Sequence, residues 1–193
     1  MWCGAFSDCT SLTSVTNLGV CVFSDCTSLA SVAIGNGVTS IGESAFAGCY
    51  GPTSVTIPKS VTTIGDSAFD DCYDLGSVYF EGNAPSLGSD VFFLDNKATV
   101  YYLPGTMGWG TTFGGLPTAL WNPQPQSISV QGNKFRFTIT GTPNIPIVVE
   151  ASTDLQGASW TSLQSCTLTN GSIYFSDPQW TNYPTRYYRI RSP

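Results

Sequence analysis

Between Leu29 and Phe80 the chain carries the same unit twice. Ser44-Ala45-Phe46 recurs as Ser67-Ala68-Phe69, Cys49 as Cys72, Ile41-Gly42 as Ile64-Gly65, and Val55-Thr56-Ile57 as Val78-Tyr79-Phe80, each 23 residues later. A period of this length constrains the fold more than any other feature. One unit is too short to enclose a core, so each must bury its apolar residues against the next, and the result is a solenoid.

The repeat extends outward from these two copies. Phenylalanines fall at Phe6, Phe23, Phe46, Phe69 and Phe92, with cysteines three later at Cys9, Cys26, Cys49 and Cys72 and Asp95 closing the series. The Phe6 to Phe23 interval lacks six residues, and aligning Leu18-Gly19 with Ile41-Gly42 puts the deletion in the turn after Val15-Thr16. Within a unit, Leu29, Val32 and Ile34 fit L-x-x-V-x-I, whose last two apolar positions alternate as in a short strand. Val38 and Ile41 begin a return arm that turns at Gly42. Ala45, Phe46 and Cys49 have the spacing of one buried helical turn.

Ile57-Pro58-Lys59-Ser60-Val61-Thr62-Thr63-Ile64-Gly65-Asp66-Ser67-Ala68-Phe69-Asp70-Asp71-Cys72-Tyr73-Asp74-Leu75 resembles the BspA-like leucine-rich repeats, whose 23-residue signature reads IPxSVTSIGxxAFxxCxxLxSVxI. The likeness covers about residues 1 to 95. It implies a curved solenoid with a strand-lined face, of the kind found mostly in bacterial surface proteins and serving adhesion and protein binding. The short first interval, the missing amino-terminal cap and the small number of units depart from the family pattern.

After Glu81 the period decays. Ala98–Pro104 and Pro117–Trp121 read as two last rungs separated by a Gly-rich loop, which together cap the stack. Asn122-Pro123-Gln124-Pro125-Gln126 reads as a stiff linker. Beyond it, Phe135–Ile139, Ile147–Ala151, Trp160–Leu163, Ser172–Phe175 and Arg186–Ile190 are short β runs, and Asn170-Gly171 signals a type I′ hairpin. The motifs VVEASTDL, WTSL and YYRIR resemble the fibronectin-like carboxy-terminal modules of bacterial surface proteins. The expected fold is therefore mainly β: a leucine-rich-repeat solenoid of short strands and helical turns over 1–121, a linker over 122–127, and a small antiparallel β-sandwich over 128–193.

Only 10% of residues are charged, and the formal net charge is −6. Such a surface repels phosphate backbones and anionic lipid, so nucleic acid and membrane insertion are not expected. The charge is unevenly divided: ten acids against two bases up to Trp121, then three against five, or −8 against +2. Opposite signs favour head-to-tail contact between copies. Met1-Trp2-Cys3-Gly4 has neither the basic start nor the apolar stretch of a signal peptide. Either a signal has been removed or the gene begins upstream, and the opening in mid-repeat favours the second.

The absence of histidine removes His-assisted nucleophiles, His general bases and His-containing metal sites. One cysteine per coil makes a line of thiols about 5 Å apart rather than a tetrahedron, so mostly free buried thiols are expected, with a bridge between neighbouring rungs still within disulfide range, and no metal or cofactor. Asp66, Asp70, Asp71 and Asp74 form an acidic edge without a flanking pocket, so no catalytic residue is assigned. Rings at Tyr101, Tyr102, Trp109, Phe113 and Trp121 serve either to stack on sugar or to seal the end of the stack.

The strand face is the candidate ligand surface. Positions beside each inward valine form two columns, one with Ser54, Ser77 and Thr99, the other with Thr56, Tyr79 and Tyr101. Tyr79 and Tyr101 are the expected anchors. These residues describe a non-enzymatic, extracellular or cell-surface module that binds a protein or glycan. A second reading is a structural subunit whose copies associate head to tail through the amino-terminal coil, at Trp2, Phe6, Leu12 and Val15. A carbohydrate-active enzyme is the third and weakest, since it needs an acid pair in a cleft.

Overall fold

The computed structural model describes residues 17–156 and 159–192. The chain divides into two compact units, Met1–Leu120 and Trp121–Pro193.

The first unit is the solenoid. Its strands in chain order are β1 (Asn17–Leu18), β2 (Val32–Ala33), β3 (Ser40–Ile41), β4 (Ser54–Ile57), β5 (Thr63–Ile64), β6 (Ser77–Phe80), β7 (Ser86–Leu87), β8 (Thr99–Tyr102), β9 (Thr112–Phe113) and β10 (Leu116–Leu120). They form two sheets. One runs β1-β3-β5-β7, all parallel; the other runs β2-β4-β6-β8-β10 in parallel and ends with β9 antiparallel on β10. The register follows the repeat. Leu18 lies opposite Ile41, which places the deletion before Leu18, and Val32, Val55, Val78 and Val100 form one inward row.

The third side of each coil, with the Ala-Phe-x-x-Cys spacing, is a run of hydrogen-bonded turns rather than a helix proper. Cys21, Phe23 and Asp25 donate their N–H groups to the carbonyls of Glu43, Ala45 and Ala47. Ser44, Phe46 and Gly48 donate likewise to Asp66, Ala68 and Asp70, and Ser67, Phe69 and Asp71 to Ser89, Val91 and Phe93, all nine bonds between 2.7 and 2.9 Å. Turns that bond to the next coil satisfy backbone groups that a short helix would leave open at its ends. The bends need left-handed residues at fixed places, at Ser44, Ser67 and Asp90 and again at Asp25, Gly48, Asp71 and Leu94.

Inside the coils a continuous apolar core runs from Leu18 to Leu116. Phe23, Phe46, Phe69 and Phe92 stack face to face with centroids 5.2, 5.2 and 5.6 Å apart. The Ile-Gly pair of the repeat has a steric cause. A Cβ on Gly42 or Gly65 would lie 2.6 Å from backbone atoms of the preceding coil. At the carboxy-terminal end Phe80, Trp109 and Phe113 pack ring on ring, and Tyr102 stacks on Trp109 at 5.3 Å, so these aromatics seal the core. Gly114, with φ +58, covers the last phenyl: a Cβ there would sit 2.8 Å from the Phe92 ring.

The second unit is a sandwich of two three-stranded antiparallel sheets. Its strands are β11 (Gln124–Gln131), β12 (Lys134–Thr140), β13 (Pro146–Ser152), β14 (Thr161–Thr167), β15 (Ser172–Asp177) and β16 (Tyr187–Arg191), with one 3-10 turn at Trp180–Asn182. The sheets are ordered β11-β12-β15 and β14-β13-β16. Ile139, Ile147, Val149 and Leu168 are fully buried, and Phe135 and Phe137 meet Tyr188 across the sandwich.

Two local expectations are corrected. The Pro-Gln stretch read as a linker is mostly strand, since β11 begins at Gln124 and Pro125 lies opposite Ile139. An edge strand tolerates proline because one side of its ladder is unused. Asn170-Gly171 does turn, with Gly171 at φ +74, but β14 and β15 lie in different sheets, so no hairpin forms there. The tight hairpin is β11–β12, through Gly132 and Asn133, whose φ values of +58 and +53 are those of a type I′ turn.

Candidate interaction surfaces

Six residues expected on the strand face come together on β4, β6 and β8. Ser54, Ser77 and Thr99 stand in register, as do Thr56, Tyr79 and Tyr101. The hydroxyl column is half-buried, and Ser31 extends it as an exposed member. The two tyrosines differ from expectation. Tyr79 and Tyr101 are only 5% and 8% exposed, their rings stacked with centroids 5.0 Å apart, and they lie outside the solenoid core. Burial pushes both phenols above their usual range. Neither presents a free ring face to a ligand. Trp2, Phe6, Leu12 and Val15 lie outside the described residues.

An exposed aromatic pair escaped notice in the sequence. Tyr50 and Tyr73 each follow the repeat cysteine, so they fall one coil apart, stacked at 5.4 Å and 37% and 48% exposed. The Tyr50 hydroxyl donates to Asp71 at 3.5 Å. The signal was their shared place in the repeat. On the following coil Phe93 and Leu94 are 55% and 40% exposed.

The cysteine column is chemically quiet. Cys49 donates its thiol to the Phe23 carbonyl at 3.0 Å and Cys72 to that of Phe46 at 3.2 Å. Burial lifts the Cys49 thiol to about 12 and raises Cys72 as well. Cys49, Cys72 and Cys166 are free thiols. At the end of the column Asp95 is 1% exposed, and neither carboxylate oxygen has a hydrogen-bond partner. Burial raises its carboxyl to about 7; the nearby Cys72 amide opposes this without reaching hydrogen-bond geometry, and Asp70 and Asp71 add to it.

The comparison with protein families fits this geometry. Residues 1–107 match the model for the BspA type leucine rich repeat region, in six copies. The chain belongs to the BspA-type leucine-rich repeat family. No curated protein and no solved structure matches it. The BspA-type match reaches past the last cysteine-column position to the Gly-rich loop, so the cap at Trp109 begins where the repeat stops. Asp95 occupies a BspA-type cysteine position inside the core, closed to any substrate. No helix among the described residues is long and apolar enough to cross a membrane.

In the second unit the three quoted motifs form one outward-facing network. Glu150 of VVEASTDL is 4% exposed and takes Arg189 and Arg191 of YYRIR, each at 2.7 Å, while Trp160 of WTSL lies 4.3 Å under the Arg189 guanidinium. Burial alone would raise the Glu150 carboxyl, but the two arginines outweigh it and hold it below its usual range. Asp177 is likewise buried, accepting from Tyr188 at 2.9 Å and pairing with Arg186 at 2.7 Å.

Proposed function

We propose that this protein is a non-enzymatic interaction module, extracellular or on the cell surface, that binds a protein or glycan on the strand face of its solenoid. The observation that carries this reading is the in-register column Ser54, Ser77 and Thr99, with the exposed Ser31 just before β2, a row of hydroxyls at the strand spacing of about 4.8 Å. Such a row suits a periodic ligand that offers hydroxyl or carbonyl groups at similar intervals. Strand faces of solenoids serve as binding surfaces because the stack holds them rigid and extended. Tyr79 and Tyr101, being stacked and enclosed, set the shape of this face instead of anchoring a ligand.

The test is a glycan array and surface-protein panel probed with the wild type and with Ser54→Arg/Ser77→Arg. Ligands should be lost from the variant and kept by a control altered at Lys59. Equal binding by both proteins would move the site off the strand face. Release of sugar from any glycan would make the protein an enzyme and end this reading.

A second reading, a structural subunit that associates head to tail, is favoured by the opposite charges of the two units, −8 and +2. Pairing between unlike units weakens as salt is added.

A further inference from the structure

We infer that the groove at the carboxy-terminal edge of the turn ladder, over Asp90, Phe92 and Leu94, is a binding site for a neutral saccharide, separate from the strand face. Three times along the stack, N–H groups of alternate residues meet carbonyls 22 residues ahead. The fourth step would join Asp90, Phe92 and Leu94 to Thr112, Gly114 and Leu116, but those residues form the β9–β10 hairpin and its turn. Gly114 closes over the Phe92 ring, while among the described residues no group accepts from the three N–H donors. Between ladder and hairpin lies a groove of about 380 Å³, walled by Phe93, Leu94 and Asn96 on one side and Gly114–Leu116 on the other. That is room for a mono- or disaccharide and too little for a folded element.

The sequence leaves its repeat at this groove. Phe93 stands where earlier coils carry Ala47 and Asp70, and Leu94 where they carry Gly48 and Asp71. Neither replacement serves the core, since both side chains are exposed. Leu94 also holds φ +67, a left-handed conformation costly for a bulky residue, at a place that Gly48 and Asp71 occupy with less strain. The coil whose ladder opens onto the groove thus sets exposed apolar surface beside unmet donors.

The chemistry of the edge selects its occupant. The Asp90 and Phe92 carbonyls accept from Phe93 and Asp95 within their own turn, so the edge offers mainly donors. An extended peptide alternates donors and acceptors and would set N–H against N–H. A row of N–H groups also suits an anion, but Asp90, with Asp70 and Asp71 on the preceding coil, makes the surroundings negative. A neutral sugar meets every demand. Its oxygens accept from the N–H groups, its hydroxyls donate to the Asp90 carboxylate and the Asn96 side-chain carbonyl, which also line the groove, and the C–H face of its ring covers the Phe93 phenyl.

The experiment is a titration of the nitrogen-15-labelled full chain with cellobiose, maltose, lactose and N,N′-diacetylchitobiose, followed by amide chemical shifts, with galacturonate and capped tetra-alanine as the anionic and peptide comparators. A neutral disaccharide should shift the Asp90, Phe92 and Leu94 amides saturably, with a Kd on the order of millimolar. Phe93→Ala, which removes only an exposed ring, should weaken binding about tenfold, while Phe93→Trp keeps it. Asn96→Trp, which fills the groove from an exposed position, should block it. Ser54→Arg/Ser77→Arg should bind as the wild type does.

No shift at the three amides with any neutral sugar at about 100 mM would overturn the site. Binding that ignores both Phe93→Ala and Asn96→Trp would do the same, and a response to galacturonate or tetra-alanine in place of the neutral sugars would overturn the ligand class. Shifts confined to Ser54, Ser77 and Thr99 would overturn the groove and leave the strand-face reading standing. Saturation at the groove, with every array ligand kept by Ser54→Arg/Ser77→Arg, would support this site and end the strand-face reading.

Discussion

Asp95→Cys restores the residue that Cys26, Cys49 and Cys72 supply in the same column, and it should stabilise the protein at neutral and alkaline pH. A cysteine there would donate to the Phe69 carbonyl as Cys72 does to Phe46. The aspartate cannot, and its two oxygens stay unpartnered at 1% exposure. Its carboxyl titrates near 3.8 when unfolded and at about 7 when folded. Between those values the folded chain holds the extra proton, so the aspartate's stability is full below pH 3.8. It is lost as pH rises toward 7, and the loss levels off above. A rise of that size at about 1.4 kcal/mol per unit amounts to about 4 kcal/mol.

The Asp95→Cys variant lacks this liability because a thiol in this column stays neutral, Cys49 titrating at about 12. Urea unfolding followed by far-ultraviolet circular dichroism, at intervals from pH 4 to 8.5, should show the two proteins within about 1 kcal/mol of each other at pH 4. At pH 8 the variant should lead by at least about 2 kcal/mol. A difference that stays constant across this range would refute the reasoning, because burial of an ionisable carboxyl is its only pH-dependent cause.

Gly65→Ala should destabilise the solenoid by about 2 kcal/mol or more, since its Cβ would press on backbone of the preceding coil, and cost far more than Gly76→Ala, whose Cβ finds its nearest neighbour at 3.6 Å; thermal melts of the pair check the contrast. In the second unit Arg189→Ala and Arg191→Ala should each be tolerated while the double variant loses more than their sum, because only then is the buried Glu150 left without a cation. A double-mutant cycle in urea measures the coupling. Since the Glu150 carboxyl is depressed on folding, its contribution is present above its unfolded value and lost as pH falls through the folded one, opposite in sign to Asp95. Cys49 and Cys72 should resist iodoacetamide at pH 8 until the solenoid unfolds, with peptide mass spectrometry reporting each site; labelling of the native protein at the rate of a free thiol would contradict the donated S–H bonds.

Much of the solenoid was legible residue by residue, because a repeat turns a tertiary question into a local one. When Val55 and Val78 fill the same place in consecutive units, stacking the units determines which strands pair and in what register. The glycine after each return-arm isoleucine and the phenylalanine stack follow from the same superposition, whereas the choice of sealing over sugar stacking for Trp109 and Phe113 came from their packing on Phe80. The strand face was placed correctly for a similar reason, since alternation about an inward valine has one solution.

What the sequence left open depends on distant parts of the chain. Alternation put Tyr79 and Tyr101 outside the core, but whether an outer ring is exposed depends on everything packed near it, and both are enclosed. Asn170-Gly171 bends as its residues dictate, yet a turn does not determine which sheet the next strand joins, and β15 pairs with β12. The Pro-Gln stretch carries a linker's composition and becomes a strand because β12 supplies a complete ladder on one side. The three unmatched donors at Asp90, Phe92 and Leu94 are the clearest case. Phe92 repeats Phe46 and Phe69, and the departure of the chain into the β9–β10 hairpin leaves these donors without the carbonyls that the following coil provides at the three described steps before them. A repeating sequence determines how one unit meets the next, while the tertiary path determines where that meeting stops, because an edge is a property of the neighbour that is missing.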